Sequence, residues 1–283
     1  MSRIDEYAEL DAVAMAELVS RGEVTAGELL DATAGHEPGA PYCSAPQDGP
    51  FAAALARPPR PLRIAFSTRA PNGVPVDPEC VRAVEDAAAL CRELGHEVEE
   101  AAAPFDANAL GQAMVTIIGA STRALLQAAA RQRGRDLAEG DLEPVTWRMI
   151  QGAGEVEAAR YVDAVNVIHA AGRVAAAFHE RYPVYLSPTL ACPPVPLGIL
   201  TLQTDDMERY VESLLGYSPF TAYQNMAGEP SMSVPLHWSA DGLPVGVMFS
   251  AAFGDEATLL ALAAQLEQAR PWAGRRPPPP AAE

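Results

Sequence analysis

The chain has no lysine. Its twenty basic residues are all arginine, set against 37 aspartates and glutamates, and the formal charge is −17 at neutral pH. A field of that sign repels phosphate backbones and anionic lipid surfaces, which argues against nucleic acid and membrane as partners. Cysteine is scarce: Cys43, Cys80, Cys91 and Cys192 lie far apart with no Cys-x-x-Cys pair. Neither a zinc site nor a disulfide framework is indicated, and free thiols are expected. His36, His96, His169, His179 and His237 show no ligand spacing such as His-Glu-x-x-His, so surface or packing roles are expected for them. No metal and no cofactor is expected. Nor does any run approach the roughly 18 apolar residues that span a bilayer. Met1 to Glu6 is polar and partly acidic rather than a leader, and a cytoplasmic protein is expected.

Apolar residues are plentiful, at 49% of 283 positions, which is enough to build one large domain or two small ones. Apolar positions at helical spacing between Asp11 and Ser20, with Gly22 after them, predict a first helix. Thr25 followed by Glu28 is a capping box, in which hydroxyl and carboxylate reciprocally satisfy free amides, so a second helix should pass through Leu29 and Leu30. Residues 1–34 thus read as an N-terminal helical segment. From 35 to 61 the chain is rich in proline and glycine, a composition that predicts a linker or surface loop with neither helix nor central strand.

Leu62 to Ser67 carries a strand signal, Asp77-Pro78 starts a helix that stops at Gly95, and His96 to Ala101 returns as a strand. Strand, helix and strand of these lengths predict a right-handed parallel crossover. Long helices are expected over 106–131 and 155–182, a buried strand over 183–187, and a helix opened by Asp205-Asp206, whose carboxylates suit the positive end of a helix. Met232 to Leu236 and Val245 to Ser250 should form a hairpin turning at Asp241-Gly242. Asp255 then starts a helix to Ala269, stopped by Pro271, and 277–283 is a solvated tail. The expected fold class is α/β, a mixed β-sheet flanked by helices, occupying residues 62–276.

Several words of this sequence stand in the order of a known family. Asn225 to Trp272 contains Gly-Glu-Pro, Ser-Val-Pro-Leu, Asp-Gly-Leu-Pro-Val-Gly-Val, Gly-Asp-Glu and Arg-Pro-Trp. Pro183 to Gly198 holds a late strand and a Thr-x-x-x-Pro-Pro loop, Leu62 to Glu100 a strand, Asp-Pro helix and Gly-His strand, and Glu17 to Leu30 two opening helices. Together they resemble the amidase signature family, and the Tyr42-Cys43 neighbourhood and the ending look most like its branch of cyclic amide-oligomer hydrolases. The resemblance implies a remnant of the amidase signature fold, amide C–N hydrolysis and a small amide substrate. It also implies that the helix after the crossover forms a pocket wall, which points to Met114, Ile118 and Trp147.

The family's centre has no counterpart here. Members carry a catalytic lysine after the first helices, then a Gly/Ser-rich segment with a bridging serine and a nucleophilic serine, whose backbone amides stabilise the oxyanion. The resemblance therefore assigns no catalytic residue to this chain. Leu29-Leu30-Asp31-Ala32 resembles family words on both sides of that centre, which suggests an in-frame deletion joining them. An internally truncated protein, inactive alone, is the expectation; a noncatalytic subunit that pairs with a partner chain, or a homo-oligomer covering the exposed faces, is the alternative.

The remaining residues offer little replacement chemistry. Gly228-x-x-Ser231-x-Ser233 is not the Gly-x-Ser-x-Gly of a nucleophile elbow. Cys80 and Cys91, eleven apart on one helix, read as small buried hydrophobes, and Cys192 is followed by two prolines rather than a thiol-protease signature. Glu97, Glu99 and Glu100 mark a solvated edge in preference to a metal cluster.

Overall fold

The computed structural model describes residues 49–278 except 155, together with scattered positions between 15 and 39. Eight helices and five strands follow one another in the described chain: α1 (Phe51–Leu55), β1 (Arg63–Phe66), α2 (Pro78–Glu93), β2 (Glu97–Glu100), α3 (Ala107–Arg133), α4 (Pro144–Ala153), α5 (Ala158–Arg181), β3 (Val184–Pro188), α6 (Met207–Tyr217), α7 (Thr221–Ala227), β4 (Ser231–Trp238), β5 (Pro244–Ala251) and α8 (Glu256–Ala269). Most of the expected helix over 11–20, and most of the next one, lie outside the described residues. The capping box is formed: the Thr25 amide donates to Glu28 at 2.8 Å and the Glu28 amide donates to the Thr25 hydroxyl at 3.1 Å.

The sheet is mixed, in the order β2-β1-β3-β5-β4. β1 runs parallel to both β2 and β3, whereas β5 is antiparallel to β3 and to β4. Both expected patterns are thus present, a parallel pair joined through α2 and a hairpin turning at Gly242, whose φ of 76° suits glycine. Alternation along the strands gives the sheet two different faces. Ile64, Val184, Leu186, Val234, Leu236, Val247, Phe249 and Ala251 share one buried cluster with Cys80, Ala83, Val84, Ala87 and Cys91 of α2 and Leu259, Leu262 and Leu266 of α8. Asp77 starts α2 by accepting the Glu79 amide at 2.7 Å, and Pro78 occupies the first turn, where no amide is needed.

Buried His96 ties this core together. Its Nδ1 accepts the Leu62 amide at 3.0 Å, so the hydrogen sits on Nε2 and is donated to Gln265 of α8 at 2.8 Å. The start of β1 and the last turns of α8 are thereby linked through one neutral imidazole.

One expectation needs correction. Residues 51–55 are helical, although the Pro-rich stretch was expected to sustain no helix. Asp31 supplies the reason: its carboxylate takes the amides of Phe51 and Ala52, capping the helix from a distance in sequence, and Phe51 is buried. Separately, α3 is long and apolar enough to cross a membrane by length and composition alone. Its valine, isoleucine, leucine and alanine residues make it so, while Gln112, Thr116, Ser121, Thr122 and Arg123 interrupt any continuous apolar run. One face of α3, Leu110, Ala113, Thr116 and Gly119, is buried; Leu110 packs with Ala171 of α5 and Tyr223 of α7. The other face leaves Val115 65% and Leu125 70% exposed.

Truncating fully buried Phe249 to alanine removes the centre of the larger core, and a loss of about 3–5 kcal/mol is expected. Urea unfolding measures it; a loss below about 1 kcal/mol would contradict this packing.

Candidate functional site

The face of the sheet opposite α2 and α8 is lined by small hydroxyl residues. The pairing register sets Tyr185, Ser250 and Ser231 in one row across β3, β5 and β4, and Ser187, Met248 and Ser233 in the next. Ser231 and Ser250 bond to each other at 2.8 Å, Ser187 donates to the Pro188 carbonyl at 3.1 Å, and Thr189 meets Ser233 at 2.7 Å. Gly246 makes the last contact possible, because a Cβ there would sit 2.5 Å from the Ser233 oxygen and 3.1 Å from the Thr189 oxygen. Thr189 and Ser233 border a small hollow of about 100 Å³ with Cys80, Cys192 and Pro193.

A hydroxyl needs a base to become a nucleophile, and this strip supplies none among the described contacts. Ser233 is held by another hydroxyl. His237, four residues on, bonds through Nε2 to Glu79 of α2 at 2.7 Å, and its Nδ1 lies 3.6 Å from Asp86, so it serves the opposite face. The thiols are no better placed. Burial pushes Cys80 and Cys91 up to about 12, and it also raises Cys192, with Asp77 adding repulsion of a thiolate at Cys80 and Cys192. Such thiols stay protonated near neutral pH and are poor nucleophiles.

The three residues assigned to a pocket wall are not gathered: Met114 and Ile118 stand on α3 and Trp147 on α4. Met114 lines a hollow of about 280 Å³ between α3 and α7, with Gln112, Asn72, Leu215 and Tyr223. Trp147 of α4 lines a second hollow, also about 280 Å³, with Leu126 and Gln127 from the far half of α3. Ile118 lies between them on the solvent side, 44% exposed. The acidic run at β2 has a structural partner set: Glu99 pairs with Arg63 at 2.8 Å and Arg181 at 3.5 Å. A hydrogen bond from Tyr182, followed by the charges of Arg63 and Arg181, holds its carboxyl below the usual range. No group of three or more His, Cys, Asp or Glu side chains is arranged to hold a metal among the described residues.

Alternation in Ser231-Met-Ser233-Val and in Gly246-Val-Met-Phe-Ser250 carried the signal for the hydroxyl strip. Which face would be covered depended on the β3–β5 register, a tertiary property.

A mixed sheet with α2 and α8 on one face and a hydroxyl-lined strip on the other defines an α/β protein. The amidase family model matches residues 19–260, and the chain belongs to that family. It is 33% identical over 261 residues to the 6-aminohexanoate-cyclic-dimer hydrolase of Paenarthrobacter ureafaciens, an alignment covering 88% of this chain and 52% of that protein. It is 29% identical over 223 residues to a lipoamidase of Enterococcus faecalis, covering 72% and 31% respectively. A solved 6-aminohexanoate cyclic dimer hydrolase with substrate superposes with a TM-score of 0.78 at 32% identity, covering 89% of this chain and 54% of that one. A bacterial aryl acylamidase of the amidase signature family shares the fold, with a TM-score of 0.72 at 24% identity. The chain spans about half the length of the 6-aminohexanoate-cyclic-dimer hydrolases it matches.

In the folded protein at pH 8, Cys80 and Cys91 are expected to react with iodoacetamide at least ~100-fold more slowly than free cysteine, whose thiolate fraction is far larger. Mass spectrometry of the labelled peptides checks this; rates near that of free cysteine would contradict the assignment.

Proposed function

We propose that the chain is an internally truncated amidase that keeps the scaffold of an amide hydrolase without hydrolysing amides by itself. One observation carries the reading: the family match runs from residue 19 to 260 and contains no lysine, yet alignment with the cyclic-dimer hydrolases reaches only about half of their length. The protonated thiols and the base-free hydroxyls of β4 and β5 support it, since neither can take over as nucleophile. The ligand class is a small amide, by analogy with the cyclic-dimer hydrolases, and Met114, Ile118 and Trp147 are what remains of the wall that faced its acyl portion. A cytoplasmic site of action belongs to the same reading.

The second reading is a noncatalytic subunit that pairs with another chain or with its own copy. Val115, Ile118 and Leu125 favour it, because these large apolar residues lie exposed on a helix whose opposite face is already packed.

Purified protein is expected to release no amine or carboxylate from simple aliphatic and aryl amides above the buffer blank. Turnover by the pure chain would overturn the proposal. Turnover that appears only when cell extract is added would favour the paired subunit, and static light scattering on the pure chain would show whether that pairing is with itself.

A further inference from the structure

His179 lies near the end of α5 with its side chain 2% exposed, and its partner Glu229 is 5% exposed in the turn that leads into β4. Nδ1 of the ring lies 2.9 Å from the Tyr182 carbonyl, and Nε2 lies 2.8 Å from Oε1 of Glu229. A carbonyl oxygen can only accept, so Nδ1 must carry a hydrogen. In a neutral ring Nε2 would then present a lone pair to the carboxylate, two acceptors in contact inside the protein. His96 shows the contrast: its ring faces one donor and one acceptor and is satisfied while neutral.

We propose that His179 and Glu229 hold one additional proton between them, as imidazolium with carboxylate or imidazole with carboxylic acid, and that this proton clamps α5 to the start of β4. Few other charges face the pair. From β3, buried Tyr185 lies near Glu229, and its phenol is pushed up to about 12, chiefly by burial and further by the Glu229 charge, so it stays neutral. Phe178 packs edge-on to the imidazole, with centroids 5.7 Å apart. Arg63 and Arg181 lie over the ring of Tyr182, and Glu99 bonds to the same residue. These groups sit on the side of Tyr182, the residue whose carbonyl accepts from Nδ1.

The turn held by this clamp sets the edge of the hydroxyl strip. The Glu229 amide donates to the Gln224 carbonyl at 2.9 Å, the Pro230 carbonyl accepts the Ala251 amide at 3.0 Å, and Ser231 follows at once against Ser250. Loss of the proton places a bare carboxylate against a ring lone pair, and the turn must swing away. The structure therefore contains a proton-dependent latch on the end of β4.

The sign of the pH effect follows from proton counting. In an unfolded chain near pH 8 a histidine is neutral and a glutamate ionised, given ordinary values of about 6.5 and 4.3. The folded pair then holds one proton more than the unfolded pair, so stability falls as pH rises. One proton corresponds to a change of up to about tenfold in the unfolding equilibrium constant per pH unit. In Glu229→Gln the amide can donate an N–H to Nε2 without any added proton.

Urea unfolding of the full chain and of Glu229→Gln, between pH 6.5 and pH 9, tests the latch. The expected result is a wild-type curve that loses stability relative to the variant by up to about tenfold in equilibrium constant per pH unit. Parallel curves would overturn the proposal. If the variant fails to fold, long-range proton–nitrogen correlation of His179, with carbon detection of the Glu229 carboxyl, decides it in the wild-type protein at pH 7.5. A proton on Nε2 or on the carboxyl supports the latch, and a bare Nε2 beside an ionised carboxylate overturns it.

Discussion

Burial of one apolar sheet face under α2 and α8 is the constraint that organises the rest of the molecule. Ile64, Leu186, Val247 and Phe249 are fully shielded from water, and they come from both the parallel and the antiparallel parts of the sheet. Because side chains alternate along a strand, committing these residues to one side sends Tyr185, Ser187, Met248, Ser250, Ser231 and Ser233 to the other. A one-residue slip of β5 would turn Phe249 out of the core and Ser250 into it, so the register that builds the core also fixes the hydroxyl strip. Polar clamps then secure the edges. His96 joins β1 to α8, and His179 with Glu229 joins α5 to β4.

This division of labour explains how a chain about half the length of the relatives it matches keeps a definite fold. The core beneath the sheet is drawn from residues 62–272. The other side is less complete. The hydroxyls of β4 and β5 have one another for company, and α3 buries one face while exposing large aliphatic residues on the opposite one. The apolar core and the hydroxyl-lined strip therefore lie on opposite faces of one sheet.

Much of this was legible in the sequence because its signals are local. Asp77-Pro78 and Gly95 bracket α2, Asp106 and Asp206 each accept an amide at the start of a helix, and Asp241-Gly242 turns the hairpin. The family membership was equally legible, since the words from Asn225 to Trp272 are distinctive in kind and order. What escaped the reading was long-range. Helix α1 exists because Asp31 reaches amides twenty residues away, and nothing near Phe51 announces that carboxylate. The hollows beside Met114 and Trp147 arise from how α3 lies against α4 and α7, which spacing alone does not set. The environment of His179 likewise depends on Glu229, fifty positions away.

We propose that none of the described serines and thiols is an activated nucleophile, and covalent trapping reads this out. Incubation of the folded protein with a fluorophosphonate, which captures base-activated serines regardless of substrate, followed by intact-mass analysis, reads the outcome without assuming any particular amide. An unmodified mass is expected. A stoichiometric adduct that maps to one serine, and that is lost when the protein is unfolded first, would contradict it.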